Sequence, residues 1–209
     1  MKTYQIAVTI VCAIIVGAVS TQAQVRFGAK AGLNVSTMSF SPDVPSTISW
    51  LPTLHVGAQV DVPLQGAFRL NTGLQIFGKG FTSEATTFGV ATSGKANPIY
   101  LHVPVTVHYR FDDVFVGAGP YLSYGFAGSG TTTTNGSTVD ADLTFGSESG
   151  SDFATLDYGI GLEAGIDIDA LRVSASFNFG LANAVPSSIS TPDLKGSFSV
   201  FSLGLGYMF

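Results

Sequence analysis

Charge is scarce in this sequence. Asp, Glu, Lys and Arg together make up 11% of its 209 residues, against about 25% in ordinary globular domains. The formal balance is −5 and no basic stripe runs along any stretch, which excludes nucleic acid as a partner. Cysteine is nearly absent: Cys12 stands alone. One thiol builds no disulfide framework, and a thiolate metal site needs several. Long apolar runs are missing too. From residue 24 onward no stretch stays apolar for the roughly 20 residues that a membrane-spanning helix requires.

The first residues read as an export signal. Lys2 precedes an apolar run over 6–19, followed by Ser20, Thr21, Gln22 and Ala23. The run is short for a bilayer span, and its small-residue exit favours cleavage after Ala23 over a retained anchor. Cys12 lies inside the run behind Thr9, Ile10 and Val11, without the small residues that lipoprotein processing needs. The expectation is a signal peptide over 1–23, its removal taking Cys12 with it, and a single domain over 24–209.

What the sequence has instead is hydrophobicity spread with a period of two, the mark of strands with two unlike faces. Over 25–36, Val25, Phe27, Ala29, Ala31, Leu33 and Val35 alternate with Arg26, Gly28, Lys30, Gly32, Asn34 and Ser36. The pattern recurs over 54–62, 68–76, 99–111, 116–126, 156–168, 171–181 and 201–209. Eight segments of about ten residues each suit tilted membrane-crossing strands. Short turns rich in Pro, Gly and Asp join them at 63–66, 112–113 and 169–170, whereas long polar connections fall at 39–50, 82–97, 127–152 and 182–195. Short turns at one end and long loops at the other is the outer-membrane arrangement, and an even strand count returns both termini to the short-turn, periplasmic side.

Alternation alone leaves open which face is wet, since a soluble lipocalin-like barrel turns its apolar face inward. The polar face decides. It gathers Arg26, Lys30, Arg69, Lys79, Arg110 and Arg172 with Asp61, Asp157, Glu163 and Asp167, interleaved with glycines, a set suited to a narrow, ion-paired lumen. Aromatics gather at both strand ends: Phe27, Phe68, Tyr109, Phe111, Tyr207 and Phe209 on the short-turn side, and Phe40, Trp50, Phe81, Tyr124, Phe126, Phe177 and Phe179 towards the long loops. Two such belts are expected where amphipathic rings meet headgroups. The chain closes on Phe209. The fold expected is all-β: an eight-stranded antiparallel up-and-down transmembrane β-barrel.

Five stretches, FGAKAGLNVSTM, YLHVPVTVHYRF, VFVGAGPYLSYGF, LDYGIGLEAGIDI and the ending LGLGYMF, carry a resemblance in order along the chain. They resemble the outer-membrane β-barrel domain common in Bacteroidota, a group that includes PorT-like proteins and is similar in architecture to small OmpA/OmpX-type barrels. The resemblance implies residence in the outer membrane of a Gram-negative bacterium, surrounded by its lipid. It implies that Leu203, Leu205, Tyr207 and Phe209 are read by the barrel-assembly machinery, and it raises a part in protein secretion as one role.

A barrel of eight strands has an interior just wide enough for side chains, so the inward cations and acids are expected to pair and plug it; the alternative is a narrow, proton-sensitive ion path. His55, His102 and His108 fall on the same inward phase. They are expected to be structural, because no acid beside them completes a ligand set and a lipid-hydrolysing site would face the bilayer. Within 127–152, the run Thr131–Thr134, Asn135-Gly136, Ser137–Val139 reads as a hairpin with an Asn-Gly tip. Here strands five and six would continue past the membrane as a polar ribbon. Asp43, Glu84, Asp140, Asp142, Glu148, Asp152 and Asp193 outnumber Lys95 and Lys195 in the long loops. The spacing matches no calcium loop, so the acids read as a solvated rim. No catalytic, cofactor-binding or metal-ligating residue is assigned. The expected role is a non-enzymatic structural or interaction barrel with acidic extracellular loops. A PorT-like secretion component is the alternative, and a lipid-modifying barrel enzyme a more distant one.

Overall fold

The computed structural model describes residues 24–148, 150–186 and 194–209; the expected signal peptide over 1–23 lies outside them, as does Asp193. Among these described residues ten strands form: β1 (Arg26–Ser41), β2 (Thr47–Pro63), β3 (Phe68–Gly78), β4 (Phe81–Thr87), β5 (Val90–Phe111), β6 (Val114–Thr134), β7 (Ser137–Asp142), β8 (Leu156–Ile168), β9 (Leu171–Gly180) and β10 (Lys195–Met208). All pair antiparallel, each with its neighbour around a ring that closes where β1 meets β10, Gly28 opposite Met208. β3 and β4 are two halves of one stave, both paired to β2 on one side and β5 on the other, and β7 lies on the flank of β6 above the ring. The barrel therefore has eight staves. All eight expected segments fall on them.

The alternation sorts the faces as the pattern requires. Leu33, Leu54, Leu74, Leu162 and Leu205 stand exposed on the outer wall while Asn34, His55, Gln75, Asp157 and Ser202 are buried inside. Inward glycines make room for the larger groups: a methyl at Gly117 would overlap the His108 ring, and one at Gly159 would meet the Tyr121 phenol. Short turns close the lower end as expected, with Asp112 and Asp169 in the left-handed conformation that Asp tolerates. Around that end Phe68 and Tyr109 pack edge-on at 5.1 Å, and Tyr207 and Phe209 at 5.3 Å.

Four expectations are corrected at the upper end. The connection expected over 82–97 is a β-hairpin, β4 into β5, turned by Phe88-Gly89. The one expected over 39–50 shrinks to 42–46, because β1 and β2 run on past the segments with clear alternation. The Asn135-Gly136 hairpin forms, but its return arm is the separate β7; β8 begins only at Leu156, and Leu143, Phe145 and Phe153 fold over the mouth instead of extending the ribbon. Lastly, Phe40 and Phe81 leave the outer belt. Each is on the inward phase of its own strand, and they pack on one another at 5.9 Å. The β2 pairing slips by one residue between β3 and β4, across a stretch of β2 that contains Pro52, a residue that fits bulges better than regular ladders.

The two upper hairpins are a natural comparison. Asn135-Gly136 has φ of 49° and 80°, and Phe88-Gly89 has 51° and 79°. Asn is favoured at the first left-handed position of such a turn and Phe is not, and the Phe88 side chain is fully exposed. Phe88→Asn should accordingly stabilise the folded chain by about 1 kcal/mol. Denaturant unfolding in micelles measures this; a loss of stability would show that Phe88 makes a contact its exposure does not reveal.

Candidate functional site: the barrel lumen

The inward side chains are stacked in tiers from the short-turn end upward. In the lowest, strand ends deliver four arginines to two carboxylates. Asp61 Oδ2 accepts from Arg69 Nε and from an Arg172 Nη, each at 2.9 Å. Asp167 accepts from Arg26 at 3.1 Å, from Arg110 at 2.8 Å, and from Arg172 Nε at 2.7 Å. The Arg172 guanidinium also lies over the Phe115 ring, 4.8 Å from its centre. This tier is a fork-and-carboxylate lattice, the geometry for which guanidinium is suited and ammonium is not.

One layer higher, Glu163 on β8 bridges across the barrel. Its two oxygens meet Lys30 Nζ of β1 at 2.6 Å and His108 Nε2 of β5 at 3.1 Å. The expectation that no acid lies beside the histidines is thus overturned for His108. β5 and β8 do not pair, and a contact across the lumen leaves no trace in sequence spacing. His55 bonds Asn34 at 2.7 Å, and His102 bonds Ser123 at 2.8 Å. Phe77 is stacked between the two rings. Among the described residues no three His, Cys, Asp or Glu side chains converge to hold a metal ion.

Above the histidines, Lys79 and Asp157 form an ion pair with neither side chain exposed. The Lys79 ammonium also bonds Ser123 Oγ at 3.2 Å and lies 4.7 and 4.9 Å from the centres of the Tyr100 and Tyr121 rings, close enough for cation–π attraction. All six inward cations and all four inward acids therefore sit in ion pairs, as the alternation implied.

An apolar cap completes the stack. Met38, Tyr100, Phe153, Ala184, Val185 and Phe198 are buried in one cluster, with Phe40, Phe81, Leu143 and Phe145 against it. Tyr100 is edge-on to Phe145 at 5.6 Å and to Phe198 at 6.2 Å. This cap was not foreseen. Phe145 and Phe153 stand in a Gly- and Ser-rich connection, and two aromatics in so polar a stretch are the signal that was there to read. Chemically the lumen holds fixed charges paired with one another, closed above by rings, although Asp61 Oδ1, Asp157 Oδ1 and Arg172 Nη1 are buried without a hydrogen-bond partner.

A family model for the outer membrane protein beta-barrel domain matches residues 20–185. The chain belongs to that family. It is a bacterial outer-membrane β-barrel. No curated protein matches it in sequence. Among solved structures this barrel is similar to the attachment invasion locus protein Ail of Yersinia pestis, with 11% identity over 90% of this chain and 100% of that one, at a TM-score of 0.45. It is also similar to Neisserial surface protein A, with 11% identity over 88% and 97% and a TM-score of 0.48. The Escherichia coli outer membrane protease OmpT matches with 9% identity over 90% and 98%, at a TM-score of 0.35.

Proposed function

We propose that this outer-membrane barrel is a non-enzymatic anchor, closed to solutes, that holds a β-structured surface outside the cell. The observation that carries the reading is the tiered lumen: its charges are spent on one another and rings cover its upper mouth. The outward belt, Phe27, Trp50, Phe126 and Tyr207 among its exposed aromatics, meets lipid at both headgroup levels. The long-loop end is extracellular, and there β4, β5, β6 and β7 form a wall rimmed by Asp43, Glu84, Asp140 and Asp142. Deleting the gene should leave uptake of small hydrophilic solutes unchanged while making the envelope more sensitive to detergent.

One observation favours a second reading. β7 ends the sheet, and every residue of Ser137–Asp142 is exposed, so its outer edge is open to strand addition by a protein partner. A PorT-like part in secretion would use that edge. Loss of secreted cargo on deletion, with an intact envelope, would select this reading over the first.

Assembly is proposed to depend on the last strand, read by the barrel-assembly machinery. Phe209 is exposed on the outer phase with Tyr207 and Leu205, while Met208 is buried and takes a bond from Gln59. Phe209→Asp should lower the folded membrane fraction several-fold in a heat-modifiability gel of outer membranes. Phe209 lies outside the lumen, so the purified variant should refold with near-normal stability. An equal loss in refolding would make the effect structural instead.

A further inference from the structure

Between the Glu163 tier and the Lys79 tier lies a cavity of about 30 Å³, bordered by Lys30, His55, Asn71, His102, Glu163 and Ser202. Three of these residues bring polar atoms with no hydrogen-bond partner in the protein: His55 Nε2, Asn71 Nδ2 and Ser202 Oγ. The residues are only 3%, 5% and 3% exposed. Buried polar atoms are as a rule satisfied, and three orphans around one cavity point to an occupant.

The chemistry of the lining selects that occupant. Asn34 Nδ2 donates to the carbonyls of Gly78 at 2.9 Å and Leu54 at 3.3 Å. Its amide oxygen is therefore the atom that faces His55 Nδ1 at 2.7 Å, and Nδ1 must carry the hydrogen. In the neutral ring Nε2 then offers a lone pair. An anion would meet that lone pair and the Glu163 carboxylate; a cation would meet the Asn71 amide hydrogens and the Lys30 ammonium. A neutral molecule that donates and accepts suits all of them, and the volume has room for about two waters.

We propose that this cavity is a resident water site, in which about two molecules bridge His55 of β2, Asn71 of β3 and Ser202 of β10. His102 borders the same cavity and bonds Ser123, which in turn accepts from Lys79. A further bond from this water to His102 would join the middle and upper tiers into one hydrogen-bonded column. The proposal rests on the sealed lumen described above, and it explains how a lumen with a polar middle stays closed to ions.

The test uses the full mature chain in nanodiscs with ¹⁵N-labelled histidine. His55 should show the neutral tautomer protonated at Nδ1, with Nε2 shifted from its free value by an accepted hydrogen bond. Its ring should also give cross-relaxation peaks to long-lived water, unchanged by raising sodium chloride. Ser202→Val, which fills the cavity, should remove those peaks. An Nε2 at the free lone-pair value, an imidazolium, a chloride-dependent shift, or peaks that persist in Ser202→Val would each overturn the proposal. If Ser202→Val does not fold, xenon decides on the unaltered chain: exclusion from the cavity is expected, and binding there would show a dry site. Failure of the sealed-barrel reading is distinguishable, because it appears as ion conductance whatever occupies this cavity.

Discussion

Asp157→Asn should destabilise the folded barrel by about 3–5 kcal/mol, the cost typical of leaving one member of a buried ion pair uncompensated. Lys79 has no exposed side-chain surface, and among the described residues Asp157 is its sole anionic partner. With the carboxylate gone, Ser123 and the Tyr100 and Tyr121 rings remain around the ammonium. A hydroxyl and two ring faces offset part of the desolvation of a full charge, not all of it. The double variant Lys79→Met/Asp157→Leu removes both charges and should return close to the stability of the natural chain, because the pair's attraction and its desolvation nearly cancel. Urea unfolding in micelles measures both. Equal losses in the single and double variants would mean that the effect is packing and not charge. Glu163→Gln should cost less than Asp157→Asn. Lys30 and Glu163 are each 10% exposed at their side chains, and the pair borders a polar cavity.

Much of this lumen was legible in the sequence, for a geometric reason. A strand repeats every two residues, so once Arg26, Lys30 and Asn34 are seen opposite Phe27, Ala31 and Leu33, each side chain is assigned to one face. The short turns add the stave count. Together these named the ten charges that the structure pairs, but not the partners. Glu163 bonds Lys30 and His108 from strands 133 and 55 residues away, and which inward groups share a level depends on how the staves are staggered. The upper end was less legible because periodicity fades there. In Thr82–Thr87 and Val90–Asn97 small and polar residues occupy both phases, so a hairpin reads as a loop. Phe40 shows the opposite failure: its phase was readable, but its aromatic character suggested a belt.

Current through single molecules of the purified barrel tests the sealed-lumen account most directly. Eight staves leave an interior that side chains fill, whereas open water channels need about 16 strands. Here four arginines lock onto Asp61 and Asp167 below, Lys79 locks onto Asp157 above, and Tyr100, Phe153 and Phe198 close the mouth. A hydrated ion would have to break at least two ion-paired tiers, each several kcal/mol from neutral when opened. Planar-bilayer recordings in molar potassium chloride should show at most small, irregular currents, and Lys79→Met/Asp157→Leu should not open the barrel because the other tiers persist. Stable unitary steps of porin size from the natural chain would contradict the account and make it a channel.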